Sequence, residues 1–183
     1  MKILTIGTNG FLGSWVNKLL QSEHSNFEIL EIPGKEECDL TEFSEISNYL
    51  KEKSPDIVIN CAAFVGGISY GYKYPVEMLS KNSLMAMNIY KASYENGVKK
   101  LINPISNCAY PAKFTTYKEE DIFNGPPDKS VFNYALSKRL FIQLGQAYFD
   151  QYTFSSANVV LSNMYGPGDH FYAERSHALG AII

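Results

Sequence analysis

Gly7-Thr8-Asn9-Gly10-Phe11-Leu12-Gly13 follows the apolar run Lys2-Ile3-Leu4-Thr5-Ile6 directly and opens into Ser14-Trp15-Val16-Asn17-Lys18-Leu19-Leu20. A Gly-x-x-Gly-x-x-Gly spacing between a strand-like run and an amphipathic run predicts a tight strand-to-helix turn. No Cβ bars a pyrophosphate from such a turn, and the free N–H groups and partial positive charge of the helix N-terminus face the anion. Thirteen glycines in 183 residues produce this spacing by chance about 0.06 times per chain. We therefore read Gly7, Asn9, Gly10, Phe11, Leu12 and Gly13 as a dinucleotide cradle, against the blander reading of a glycine-rich turn that holds nothing.

Working outward, strand-like stretches recur at Lys2–Ile6, Phe27–Ile32, Asp56–Asn60, Lys100–Ile105 and Thr153–Leu161, separated by segments of helical periodicity. Phe11, Leu12, Trp15, Val16, Leu19 and Leu20 share one predicted helix face, as do Phe43, Ile46, Tyr49 and Leu50. A longer helix is expected to start at Pro75, present Met78, Leu79, Met85, Ala86, Ile89 and Ser93, and stop at Asn96-Gly97. Another is expected from Ser130 to Tyr152. This alternation predicts an α/β fold, a Rossmann-like doubly wound parallel sheet, with its ligands beyond the carboxyl ends of the strands.

Composition removes several classes of function. A formal charge of -3 and a pI near 5.6 supply no basic field, so neither nucleic acid nor an anionic membrane is an expected partner. The N-terminus enters a strand and a glycine turn rather than an export signal, which predicts a cytoplasmic protein. Cys38, Cys61 and Cys108 are odd in number and far apart, and no metal-ligand spacing joins them to His24, His170 or His177. Neither a disulfide framework nor a metal site is expected.

Chemistry enters with Tyr134 and Lys138, four residues apart on one face of the last predicted helix. A phenol can exchange a proton with a carbonyl substrate when a nearby ammonium stabilises its anion. Tyr49 and Lys53 have the same spacing, but they precede the third strand on a helix expected to pack behind the sheet. Tyr134 and Lys138 instead follow the strand ending at Ser106 and can reach its carboxyl end. Ser106 and Cys108 stand just past that strand, where a hydroxyl can hydrogen-bond the same carbonyl oxygen, although a serine there can equally terminate a strand and a cysteine can be a small buried hydrophobe.

Ala62-Ala63-Phe64-Val65-Gly66-Gly67-Ile68, Ser106-Asn107-Cys108-Ala109-Tyr110-Pro111, Asn124-Gly125-Pro126-Pro127, Tyr134-x-x-x-Lys138, Tyr165-Gly166-Pro167-Gly168-Asp169 and Ser176-His177 together resemble the GDP-L-fucose synthase family of the extended short-chain dehydrogenase/reductases. The resemblance covers essentially the whole chain. It implies a nucleotide-sugar substrate, a GDP-4-keto-6-deoxyhexose, inverted at C3 and C5 and then reduced at C4 with NADPH. A ketone at C4 acidifies the hydrogens on both neighbouring carbons, so inversion needs a base on one face and an acid on the other. Cys108 and His177 fit those roles, with His170 a rival to His177. Ser106 and Tyr134 would hold the enolate oxygen, Tyr134 would donate the proton during reduction, and Lys138 would tune Tyr134 and bind ribose hydroxyls.

The resemblance further implies cofactor contacts at Asp39-Leu40 for adenine, at Ala62 and Ala63 beside the dinucleotide, and at Ile105, Tyr134, Lys138 and Asn163. For the choice of coenzyme, Glu31 stands near the place where a carboxylate takes the ribose 2′-hydroxyl of NAD, while Lys35 and Asn9 can meet the 2′-phosphate of NADP. NADP(H) is favoured and NAD(H) stays open. Members of the family are longer, so the 183 residues are expected to form one Rossmann domain with only the start, from about residue 166, of a truncated substrate-binding region. A homodimer through the helices at Pro75–Gly97 and Ser130–Tyr152 is also implied. The rival readings are a cofactor-binding module without turnover and another NAD(P)-dependent nucleotide-sugar epimerase or dehydratase. Two departures are local: Asn103-Pro104-Ile105 puts a proline in the strand before Ser106, and His170 replaces an asparagine.

Overall fold

A computed structural model describes residues 1–24 and 26–169. Strands β1 (Lys2–Ile6), β2 (Glu28–Ile32), β3 (Ile57–Asn60), β4 (Lys100–Ser106) and β5 (Ser156–Leu161) alternate with helices α1 (Phe11–Glu23), α2 (Phe43–Lys53), α3 (Ile68–Lys73), α4 (Pro75–Glu95) and α5 (Phe132–Tyr152). Every strand pairing is parallel, in the order β2-β1-β3-β4-β5. The order reverses between β1 and β3, the point at which open parallel sheets leave a crevice beyond their strand ends. Right-handed crossovers running in opposite directions from that point place helices on both faces. Accordingly α1 packs on β1 and β2, while α2, α4 and α5 contact one another in series.

Between the sheet and that helical row lie Leu4, Ile6, Val58, Leu101 and Ile105, against Ile46, Leu50, Ala86, Ile89, Tyr90 and Phe141, all buried. Each large side chain removed from water contributes about 1.5–3 kcal/mol. One polar seam crosses this layer: Asn103 Nδ2 donates to the Tyr90 hydroxyl (3.1 Å) and to Asn158 Oδ1 (3.2 Å), and the Tyr90 hydroxyl donates to Ser156 Oγ (3.3 Å). Gly145 of α5 makes room for it, because a Cβ there would stand 2.8 Å from both the Tyr90 and Ser156 oxygens.

Several sequence expectations shift. Trp15 and Leu19 do not cover the sheet; they are 37% and 50% exposed, because Gly13 and Asn17 are the residues α1 buries. Leu79 likewise points outward from α4, while Met78, Ala86, Ile89 and Ser93 face the core. The last strand begins at Ser156 rather than Thr153, which is the left-handed C-cap of α5 at φ 55°. A 3-10 turn occupies 129–131, so α5 starts at Phe132. Pro104 does not break β4: it falls past the last β3 pair, Ile59 with Ile102, while pairing to β5 continues to Ser106.

Candidate active site

The glycine turn is fixed by backbone crowding. Gly7 adopts φ +83°, and a Cβ on it would lie 2.9 Å from the Ala62 nitrogen. At Gly13 a Cβ would lie 2.1 Å from the Gly7 carbonyl oxygen. The turn therefore packs α1 against β1 and the loop after β3 with no space for side chains. Gly10 caps α1 without any side-chain hydrogen bond, which leaves the N-terminal amides of Phe11, Leu12 and Gly13 to the crevice. These residues fit a dinucleotide diphosphate.

Opposite the turn runs the Ala62-Ala63-Phe64 loop, and Asn82 holds it. The Asn82 side chain accepts from Phe64 N (2.9 Å) and donates to Phe64 O (2.9 Å), as a neighbouring strand would, and also donates to Met78 O (2.7 Å). Sequence reasoning passed over Asn82; a polar residue at a core position of an otherwise apolar helix face was the available signal, since a buried amide must find partners.

Around the second strand the electrostatics are already committed. Glu31 Oε2 accepts from Thr8 Oγ1 and from Asn17 Nδ2, both at 2.9 Å, so its carboxylate is tied to the turn and α1. Lys35 is exposed and pairs with Asp39 at 2.9 Å. Asp39 also accepts from Thr41 N and Oγ1, and these bonds and Lys35 hold its carboxyl down at about 2. The Asn9 amide lies beside Gly34, next to Lys35. Leu40 and Ile105 are buried in the core, which leaves mainly their backbones to touch a cofactor. Asn163 is exposed in the segment following β5.

At the carboxyl end of β4 the chemically active side chains meet. Ser106 ends the strand and accepts from Cys108 N at 3.2 Å, so the hydroxyl caps the 3-10 turn at 107–109 and keeps its own proton to donate. From α5 come Tyr134 and Lys138, the latter's Nζ 5.6 Å from the Tyr134 ring centroid. Burial pushes the Tyr134 phenol well above its ordinary value, and the facing Cys108 thiol adds to the effect. Lys138 is 4% exposed, donates to Pro104 O at 3.4 Å, and is brought down to about 8 by burial. Its ammonium donates to this carbonyl while lying within reach of the Tyr134 ring. Cys61, which sequence reasoning left without a role, sits near Lys138 with its thiol pushed up to about 12 by burial.

Arg139, beside Lys138 in sequence, donates from Nε to Ala109 O at 2.7 Å and steadies the Cys108 turn from behind. The second pair with the same spacing falls elsewhere: the Tyr49 hydroxyl donates to Glu31 O of β2, with Lys53 over its ring. His170, Ser176 and His177 lie outside the described residues. Among the described residues no cluster of side chains is fit to hold a metal ion, and no helix is long and apolar enough to cross a membrane.

Comparisons with known proteins agree with this geometry. The NAD dependent epimerase/dehydratase family matches residues 3–183. GDP-L-fucose synthase of Azorhizobium caulinodans is 34% identical across 100% of this chain and 58% of its own length. A GDP-L-fucose synthetase of Naegleria fowleri bound to NADP superimposes with a TM-score of 0.86 at 30% identity, over 99% of this chain and 56% of that one. A GDP-D-glycero-L-gluco-heptose synthase of Campylobacter jejuni, in the presence of NADPH, gives 0.91 at 25% identity over 99% and 53%. The chain thus spans a little over half the length of the relatives it matches, and its resemblance to GDP-L-fucose synthases extends along its whole length.

Proposed function

The chain belongs to the NAD dependent epimerase/dehydratase family, and from that premise we propose that it carries the cofactor-binding and proton-transfer half of a GDP-sugar 3,5-epimerase/4-reductase. One arrangement carries the reading: the 3-10 turn that bears Cys108, capped by Ser106 at the end of β4, packs against α5, which bears Tyr134 and Lys138. A reductase needs only the phenol, whereas a thiol beside it supplies the acid-base group that inversion at carbons flanking a ketone demands.

When bound, the reduced nicotinamide supplies the hydride for C4. The Tyr134 hydroxyl, protonated at neutral pH, hydrogen-bonds the C4 oxygen together with Ser106 and gives up its proton as that oxygen becomes an alkoxide. During inversion the same two donors hold the enolate oxygen, while Cys108 and His177 exchange the C3 and C5 protons. Lys138, as a buried ammonium, holds ribose hydroxyls and places a positive charge near the phenol that gives up its proton.

NADP(H) is the coenzyme of choice in this reading. Glu31, the residue that would take a 2′-hydroxyl, is engaged by Thr8 and Asn17, whereas Lys35, exposed and paired with Asp39, and Asn9, beside Gly34, would meet a 2′-phosphate. The dimer of this reading forms through α4 and α5, whose outer faces expose Val76, Leu79, Met87, Phe149 and Tyr152. The substrate-binding region starts from about residue 166.

Incubation with NADPH and a GDP-4-keto-6-deoxyhexose in deuterated water tests the reading. Deuterium at C3 and C5 with oxidation of NADPH is expected. Cofactor binding with neither would leave a binding module without turnover. Failure to bind either coenzyme would remove the dinucleotide site itself.

A further inference from the structure

Trp15 has no place in the mechanism, and it neither covers the sheet nor points free into solvent. It lies one helical turn beyond Phe11 on the outer face of α1, and its indole Nε1 donates to Pro167 O at 2.9 Å, across 152 positions of sequence. The acceptor belongs to Gly166-Pro167-Gly168-Asp169, a turn closed by Asp169 N donating to Gly166 O at 3.2 Å, with Gly168 at φ +89°. Proline followed by a glycine at positive φ makes this a type II turn, whose central carbonyl is directed away from the turn's own hydrogen bond and is free to accept from elsewhere. Gly166 meanwhile sits against the Phe11 ring, so close that a Cβ on it would be 3.5 Å from Phe11 Cζ. Lys18 covers the other face of the indole, 4.9 Å from its ring.

We propose that Trp15 is a positioning residue that clasps the loop after β5 onto the first turn of α1, so that the loop and the diphosphate cradle hold one another in place. This rests on the reading of the glycine turn as a dinucleotide site. Phe11 is the first residue of α1, and its amide is one of those left to the cofactor. A loop seated on its ring limits how far that turn can fray. Binding NADP(H) orders the helix N-terminus, and a loop already docked on it lowers the entropy lost in doing so. Conversely, an ordered cradle presents a firmer surface to the loop, and by linkage the two effects are equal.

Trp15 is the chain's single tryptophan, so its emission reports the clasp directly. Gly168→Ala forces a side chain into left-handed backbone while the new Cβ meets nothing within 4 Å, which disturbs the turn and nothing else. In the unliganded protein this variant is expected to shift Trp15 emission to longer wavelength and to make it more accessible to acrylamide. Unchanged emission and quenching would show that the indole is not held by the turn and would overturn the clasp.

NADPH titration, followed by the coenzyme's own fluorescence, supplies the second arm. Trp15→Phe keeps a ring but loses the donor, and about a fivefold rise in Kd is expected, which at 1.36 kcal/mol per tenfold is about 1 kcal/mol, one net hydrogen bond. Gly168→Ala should weaken binding by a similar factor. The double variant should be weakened no more than either single one, about fivefold rather than the twenty-fivefold of independent effects. Parent-like binding by Trp15→Phe, or a multiplicative double variant, would refute the positioning role. A parent that binds no coenzyme would instead strike the dinucleotide reading, and the quenching arm would still judge the clasp.

Discussion

The glycine turn and the Ser106-Cys108-Tyr134 cluster face one crevice but are specified in opposite ways. The turn is a local object: seven consecutive residues, held by backbone atoms that would collide with any Cβ, as at Gly13. The cluster is a global one, since its members come from the end of β4 and from α5 and meet only because α5 packs back on the parallel sheet. One region fails by losing its shape, the other by losing a proton, and substitutions should separate the two kinds of failure.

Tyr134→Phe should have the largest effect. It removes the proton donor and leaves the cradle intact, so reduction of the 4-keto sugar is expected to fall about a hundredfold to ten-thousandfold while NADPH affinity and the urea midpoint stay near the parent values. Retained turnover would detach the phenol from the chemistry. Gly13→Ala should do the reverse: the new Cβ meets the Gly7 carbonyl, so stability is expected to drop by about 3 kcal/mol and coenzyme binding to vanish, with Tyr134 untouched. Equilibrium unfolding and a binding titration read both changes.

Cys108→Ser sharpens the comparison inside the cluster. Deuterium exchange at C3 and C5 should fall at least about tenfold, while reduction of an already inverted 4-keto sugar continues. Equal loss of both would merge the two roles into one.

Lys138 belongs to both regions, and its substitution carries the smallest effect. Its ammonium is buried and lowered to about 8, below its ordinary value, so the folded state disfavours its charge. That cost is fully present below pH about 8 and disappears between there and pH 10.5, the range in which the folded form has released its proton and the unfolded form has not. Lys138→Met is therefore expected to raise stability at pH 7 by about 1–3 kcal/mol and to lose that advantage near pH 10.5, while weakening coenzyme binding. Thermal melts across this range would expose an error in the sign at once.

The same contrast explains what could be read in advance. The parallel α/β fold was legible in the alternation of strand-like and helical stretches, and the cradle because Gly7, Gly10 and Gly13 state their backbone requirement in their spacing. Tyr134 could be separated from Tyr49 only by its position after the fourth strand; in the fold the Tyr49 hydroxyl donates to Glu31 O of the edge strand β2, away from the end of β4. Trp15 was misassigned because helical periodicity ranks hydrophobicity and cannot see a loop arriving from residue 167. Asn82 was passed over for the same reason, since its partners at residue 64 are close only after α4 folds back on the sheet. The Lys138 ammonium turns to Pro104 O because a strand carbonyl beyond the last β3 pair is left open, a fact of register rather than of sequence.

Asn82 has a consequence for motion. By bonding both backbone groups of Phe64 it ties that stretch of chain to α4, so the two cannot separate without breaking both bonds.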